Sequence, residues 1–310
     1  MGENKTIWIT GASGFLGANL VEFLLNRSYK VIITIRPTSS LWRLEEFLNH
    51  PNLIKLSLDE ITFNNPFIEQ RIDILFHCAW GGVDVNGRND WTIQIENFNY
   101  SFEILKLAKI LKIKKIIGIG SQAEYGFINE RIDETYCCNP NTSYGAAKLS
   151  TFYVLKEFCE QNNIEWYWVR LFSFFGKKEN NDWLVTSVIR KILLHESNSL
   201  TYGEQKFDYS NISFILSCFE KLIHSKDKSG LYNLGSNTSI SIKDLITIIS
   251  NKLNDYSPIL NFGAIPYRIN QSMQIEGNSN KFYTTFEIKD EINLDLGLAD
   301  LITDLKTRIK

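Results

Sequence analysis

Cysteine is scarce in this 310-residue chain and follows no pattern: Cys78, Cys137, Cys138, Cys159 and Cys218 are an odd number with no repeated spacing. A disulfide framework and a paired-cysteine zinc site are therefore not expected, and reduced thiols in a cytoplasmic protein are. Four scattered histidines offer no metal cluster, so no metal is expected. The formal net charge is only −2, with neither a basic stripe for nucleic acid nor an acidic tail for a disordered partner. No run approaches the ~18 uninterrupted apolar residues of a membrane span. The opening MGENKTIWIT lacks an apolar stretch behind a basic segment, so no signal peptide is expected. Internal repeats and low-complexity linkers are also missing.

Short apolar runs alternate with helical patterns through the first half. The spacing predicts strands over Thr6–Thr10, Lys30–Ile35, Leu53–Leu58, Ile72–Phe76, Lys115–Gly120 and Glu165–Arg170. Between them it predicts helices over Phe15–Asn26, Trp91–Leu111 and Tyr144–Asn162. Such alternation argues for an α/β fold, a Rossmann-type doubly wound parallel sheet covered on both faces. Beyond about Phe175 the pattern loosens into helices at Val185–Leu194, Phe214–His224 and Ile242–Leu253, with isolated strand-like pieces such as Leu231–Leu234. The expected organisation is a dinucleotide-binding domain over 1–175 and a smaller C-terminal α/β substrate lobe over 176–310.

Directly after the first strand comes Gly11-Ala12-Ser13-Gly14-Phe15-Leu16-Gly17, a G-x-x-G-x-x-G turn opening a helix. Gly11 suits a tight turn, Gly14 lets backbone approach a pyrophosphate, and Gly17 lets the helix lie close to the strand. The helix start then offers free N–H groups and the positive end of its dipole to the phosphates. A dinucleotide site often has an acid at the end of the second strand, for the ribose hydroxyls. Here that end reads Ile35-Arg36-Pro37, with no acid, and Arg36 favours a 2′-phosphate and hence NADP, with NAD still possible.

Tyr144 and Lys148 stand four apart at the start of a predicted helix, on one face. A free phenol titrates near ~10, too high for base work at neutral pH. A neighbouring ammonium favours the phenolate, so the tyrosine can serve as acid or base at a carbonyl or carbinol. Ser121, just past the fifth strand, can donate a hydrogen bond to the substrate oxygen.

Taken in order, these motifs make the chain resemble the extended short-chain dehydrogenase/reductase family, the nucleotide-sugar epimerases, dehydratases and reductases. The likeness covers nearly the whole length. It rests on Gly11/Gly14/Gly17, Asp59, His77-Cys78-Ala79, Asn99, Ser121, Tyr144/Lys148 and Arg170-Leu171-Phe172. The resemblance implies Ser121, Tyr144 and Lys148 as catalytic residues. It also implies that Asp59 meets the adenine, that Ala79, Trp80 and Leu171 line the cofactor, and that Asn99 buttresses the site. Packing is an equally good reading of Asn99 and His77. Gln122, Ser173 and Arg268 are the implied substrate contacts, the last in Phe262-Gly263-Ala264-Ile265-Pro266-Tyr267-Arg268, similar to the family's diphosphate-binding segment. In Gly203-Glu204-Gln205-Lys206-Phe207-Asp208 the family's arginine is replaced by Phe207, which removes one expected phosphate contact.

Within the family, dehydratases carry an Asp-Glu pair after the serine position, where this chain has Gln122-Ala123. The 3,5-epimerase-reductases carry a cysteine at Ala123. The chain looks most like the nucleotide-linked 4-keto-6-deoxyhexose reductases. The expectation is NAD(P)H-dependent reduction of a C4 ketone on a dTDP-, CDP- or GDP-linked sugar, in bacterial surface-polysaccharide biosynthesis. The alternatives are a C4 epimerase with tightly held NAD and a non-catalytic cofactor-sensing regulator. The resemblance also implies a homodimer formed through the two long helices.

Overall fold

A computed structural model describes residues 5–57, 61–62, 65–66, 71–84, 86–269, 271–289 and 292–309. Seven strands form the main sheet: β1 (Thr6–Thr10), β2 (Lys30–Ile35), β3 (Leu53–Ser57), β4 (Ile74–His77), β5 (Lys115–Ser121), β6 (Glu165–Leu171) and β7 (Gly230–Leu234). Their spatial order is β7-β6-β5-β4-β1-β2-β3. The pairs β1–β2, β2–β3, β1–β4 and β4–β5 are parallel. The order reverses direction between β1 and β4, the switch point of a doubly wound sheet. The expected Rossmann-type sheet is therefore present, with one addition. Leu231–Leu234, read from the sequence as an isolated piece beyond residue 175, is the edge strand β7 of this sheet. Position 58 of the expected third strand lies outside the described residues.

The strands form here because both faces are buried. All five residues of β1 are buried, so β-branched and aromatic side chains find packing above and below. Register sorts those side chains into rows. Trp8 pairs with Ile32 and Leu75, and Leu75 with Ile116. That row, with Trp168 of β6, packs on two helices, α2 (Trp91–Ile110) and α3 (Ser143–Gln161), through Ile104, Leu107, Phe152 and Leu155. Residues one step along point the other way. There Ile9 pairs with Phe76, whose ring lies 5.6 Å from that of Phe219. Helix α1 (Phe15–Leu25) packs on β1 and β2.

Local signals start the long helices. Asp90 caps α2, accepting from Thr92 and Ile93 N–H, and Thr142 caps α3, accepting from Gly145 N–H.

The chain divides into two units. The first holds Met1–Gly126, Cys137–Arg170 and Phe219–Tyr232; the second holds Phe127–Tyr136, Leu171–Cys218 and Asn233–Lys310. The second unit carries a four-stranded mixed sheet in the order Ile240–Ser241, Lys206–Phe207, Gln274–Gly277, Arg131–Ile132. Its apolar core gathers Val185, Val188 and Ile192 with Leu245, Ile249, Leu298 and Leu301, from helices over Leu184–Leu193, Ile242–Lys252 and Leu294–Arg308. Among the described residues no helix is long and apolar enough to cross a membrane. None of their His, Cys, Asp and Glu side chains group in threes as a metal site would.

Candidate active site

The glycine turn takes the shape its spacing implies. Gly11 sits at φ +70°, a region that costs other residues, and a Cβ there would lie 2.6 Å from Ala79 Cα and N. Gly14 N–H donates to Gly11 C=O at 3.0 Å. A Cβ on Gly17 would come within 2.2 Å of Gly11 O, so only glycine lets α1 start this close to β1. Gly14 caps α1 without a side-chain hydrogen bond, which leaves the first N–H groups of the helix for an anion. Ala12 and Phe15 are buried beneath the turn, Ser13 and Leu16 are half-buried, and Gly14 is exposed. A nicotinamide dinucleotide fits this cradle: a side chain at Gly11 or Gly17 would collide with backbone, and the cap residue Gly14 brings no side chain to the helix start. Arg43 adds a cation that sequence reading missed, its guanidinium reaching Ser13 C=O at 3.4 Å.

Arg36 is exposed just beyond β2. Burial pushes the Tyr100 phenol up to about 12, against a hydrogen bond from Thr34 and the nearby Arg36 charge. Asp59 lies outside the described residues.

At the carboxyl end of β4, beside the end of β1, His77 joins three elements. Ala79 N–H donates to Thr10 Oγ at 3.3 Å, and Thr10 Oγ lies 2.8 Å from His77 Nδ1. His77 Nε2 lies 2.8 Å from Ser101 Oγ, which donates to Asn97 C=O at 2.8 Å. Ser101 spends its proton on that carbonyl, so His77 must carry its own on Nε2 and accept from Thr10 at Nδ1. Burial, helped by the Lys148 charge, pushes the imidazole down to about 3 and keeps it neutral.

Asn99, expected to buttress the site, is instead exposed on α2. The buttress is Asn97, whose side chain accepts from Gly81 N–H at 2.8 Å and donates to Gly81 C=O at 2.9 Å. Gln94, one turn earlier and fully buried, donates to Gly82 C=O and Gly87 C=O and accepts from Trp80 Nε1 at 2.8 Å.

Ser121, Tyr144 and Lys148 are all buried. Ser121 Oγ accepts from Ala123 N–H at 3.2 Å, and Glu124 Oε1 accepts from Ser121 N–H at 2.8 Å. This capping box fixes the turn after β5 and leaves the Ser121 hydroxyl proton free to point elsewhere. Burial raises the Tyr144 phenol above its usual range, while the Arg88 charge and hydrogen bonds with Ser121 and Arg88 pull it back down. The structure thus brings Ser121 and Tyr144 together.

The Lys148 ammonium donates to Ile119 C=O at 2.7 Å and rests 3.8 Å from the centre of the Trp80 ring. Trp80 meets Tyr144 edge-on, with ring centres 6.2 Å apart. Burial lowers Lys148 to about 7, opposed by Glu124 and Cys78.

Glu124 is fully buried beneath this group. It accepts from Ser121 N–H, from Trp168 Nε1 at 3.0 Å and from Arg170 Nε at 2.7 Å. Neither Glu124 nor Arg170 was singled out for this role, although Ser-x-x-Glu is a capping-box spacing.

Gln122 is half-buried in the turn after Ser121. Leu171, Ser173 and Arg268 belong to the second unit: Leu171 is buried, Ser173 half-buried and Arg268 exposed. Phe207, at the family's arginine position, packs against the second unit's core.

The family model for the NAD dependent epimerase/dehydratase family matches residues 7–235. The chain belongs to that family. Among its relatives, CDP-abequose synthase of Salmonella muenchen is 24% identical over 314 residues, covering 97% of this chain and 98% of that protein. The dTDP-6-deoxy-L-talose 4-dehydrogenase (NAD(+)) of Aggregatibacter actinomycetemcomitans is 27% identical, covering 77% of this chain and 87% of that protein. A solved UDP-N-acetylglucosamine 4-epimerase from Methanobrevibacter ruminantium superposes with a TM-score of 0.88 at 24% identity, covering 99% of this chain and 100% of that one. That likeness shows the shared fold.

Proposed function

We propose that this protein reduces the C4 ketone of a nucleotide-linked 4-keto-6-deoxyhexose, using NADPH. The observation that carries the reading is the buried Ser121–Tyr144 pair with Gln122-Ala123 beside it. The pair can polarise and protonate a ketone oxygen, and no carboxylate stands at 122 or 123 to drive loss of water from C6. When bound, the nicotinamide supplies the hydride. Ser121 orients the ketone oxygen through its free hydroxyl proton, and Tyr144 gives that oxygen its phenolic proton. Gly11, Gly14 and Gly17 hold the pyrophosphate on α1. Ala12, Ser13, Phe15, Leu16, Ala79, Trp80 and Leu171 line the dinucleotide, and Arg36 takes a 2′-phosphate. The second unit holds the nucleotide sugar, with Ser173 and Arg268 as contacts. Two relatives support the choice of substrate: one is named for CDP-abequose synthesis and the other for dehydrogenation at C4 of a dTDP-6-deoxysugar.

A second reading, C4 epimerisation with retained NAD, is favoured by the fold likeness to a UDP-sugar 4-epimerase. One experiment separates the two. The protein is mixed with NADPH or NADH and dTDP- or CDP-4-keto-6-deoxyglucose, and nicotinamide absorbance is followed. Stoichiometric loss with NADPH, abolished in Tyr144→Phe, supports the reductase. Interconversion of C4 isomers of a UDP-sugar with no added cofactor and no net oxidation refutes it. Exposed Ile95 and Phe102 on α2 and Tyr153 on α3 fit a homodimer through these helices, testable by light scattering.

A further inference from the structure

We propose that Trp80 is a positioning residue for the acid–base pair: the face of its indole holds the Lys148 ammonium in the site, and Gln94 of α2 sets the ring. The proposal rests on Lys148 assisting Tyr144, and not on which sugar is bound.

Lys148 is buried, and its ammonium has three N–H bonds to satisfy. Ile119 C=O takes one at 2.7 Å. Glu124, the carboxylate within electrostatic reach, is already paired with Arg170 Nε at 2.7 Å. What the ammonium meets instead is the face of Trp80, 3.8 Å from the ring centre. A second indole, Trp168, stands farther off at 5.8 Å and gives its Nε1 proton to Glu124. An indole face carries negative charge density and is the strongest aromatic partner for a cation, above all one withdrawn from water. Trp80 therefore favours the charged lysine, and only a charged lysine favours the phenolate of Tyr144.

The ring is held where this contact needs it. Gln94 is fully buried, and its amide nitrogen donates to Gly82 C=O at 3.0 Å and Gly87 C=O at 2.9 Å. Two carbonyls can be met only by the amide NH2, so the Gln94 oxygen must turn the other way. That oxygen accepts from Trp80 Nε1 at 2.8 Å. Asn97 Nδ2 donates to the same oxygen at 3.3 Å. With its Nε1 fixed, the indole lays its face on Lys148 and meets Tyr144 edge-on at 86°, ring centres 6.2 Å apart. One side chain thus touches both members of the pair, which lie one turn apart on α3.

The titratable groups facing Lys148 are Glu124, from the turn after β5, and Cys78 and His77, from the end of β4. Glu124 favours the ammonium. His77 is neutral, and the Cys78 thiol is pushed up to about 12. Removing the Trp80 face should therefore move Lys148 in one direction, toward the neutral amine.

The test is a substrate-free magnetic-resonance titration of protein carrying isotope-labelled lysine. The Lys148 ε-methylene signal is the one missing from Lys148→Met. A methylene over an indole face is shifted upfield by the ring current, so in wild type this signal should stand apart from the other lysines. Trp80→Leu should erase that shift and lower the Lys148 titration by about one unit, a tenfold change in acidity. Trp80→Met replaces it if circular dichroism shows the leucine variant unfolded. Trp80→Phe keeps an aromatic face and should hold most of both readings. An ordinary ε-methylene shift in wild type overturns the proposal. So does an unmoved or raised titration in Trp80→Leu or Trp80→Met, or an equal fall in Trp80→Phe. If these readings hold but no keto-sugar is reduced, the sugar assignment fails and Trp80 stands. If sugar is reduced and the Lys148 titration stays still, Trp80 fails alone.

Discussion

Replacing Glu124 with glutamine tests how the site is supported. The substitution preserves shape but removes the charge that faces Arg170, and both side chains are at most 1% exposed. Glu124 accepts from Ser121 N–H at 2.8 Å, Trp168 Nε1 at 3.0 Å and Arg170 Nε at 2.7 Å. An amide keeps one acceptor oxygen, so at least one of these donors loses its partner, and Arg170 is left as a buried charge over the Tyr125 ring. Breaking a buried, hydrogen-bonded pair from one side costs about 3–5 kcal/mol. For a domain of about 150–250 residues each kcal/mol moves Tm by about 2–4 °C, so Glu124→Gln should lower Tm by about 6–20 °C. The assay is differential scanning calorimetry of wild type, Glu124→Gln and the double variant Glu124→Leu/Arg170→Met. The double variant should recover much of the loss, because apolar replacement of both partners of such a pair is often nearly neutral. A loss below about 2 °C in Glu124→Gln, less than one kcal/mol on the same scale, refutes the reasoning.

Three further outcomes follow from the same geometry. Gly11→Ala should abolish dinucleotide binding by calorimetric titration and lower Tm, since its Cβ would fall 2.6 Å from Ala79 backbone at φ +70°. His77 titrates near about 3 in the native protein against an ordinary 6.5. The unfolded chain therefore binds a proton that the native state refuses, and stability falls as pH drops from 6.5 toward 3, by up to about 1.4 kcal/mol per unit. Urea midpoints at neutral and acid pH should show this loss, reduced in His77→Gln. Lys148 titrates near about 7 rather than 10.5. Between those values the unfolded state again holds the extra proton, so wild type should gain stability over Lys148→Met as pH rises, by up to about 1.4 kcal/mol per unit; equal slopes in urea titrations would refute it.

Much of the first unit was legible because its signals are local. The G-x-x-G-x-x-G turn, the buried run of β1, the Tyr144/Lys148 spacing and the strand–helix alternation each lie within a few residues of chain, where sterics and periodicity act. Asn99 and Asn97 show where that reading reaches its limit. Both lie on the predicted helix, but two residues turn it by about 200°, and only the packed position of α2 decides which one meets Gly81. Ser121-x-x-Glu124 has the spacing of a capping box, a local signal the sequence reading passed over, and its second use, as counter-charge to Arg170, needs β6 beside β5 in the sheet.

The sequence by itself determined the fold class, the glycine turn that opens α1 and the candidate set of Ser121, Tyr144 and Lys148, since backbone sterics, helix spacing and strand burial are written in neighbouring residues. Tertiary structure alone decided that Leu231–Leu234 edges the main sheet, that Lys148 turns to Ile119 and Trp80, and that Ser143 pins the Arg88 backbone. Those outcomes depend on which side chains meet across the fold, with 55 residues separating Arg88 from the serine that pins it.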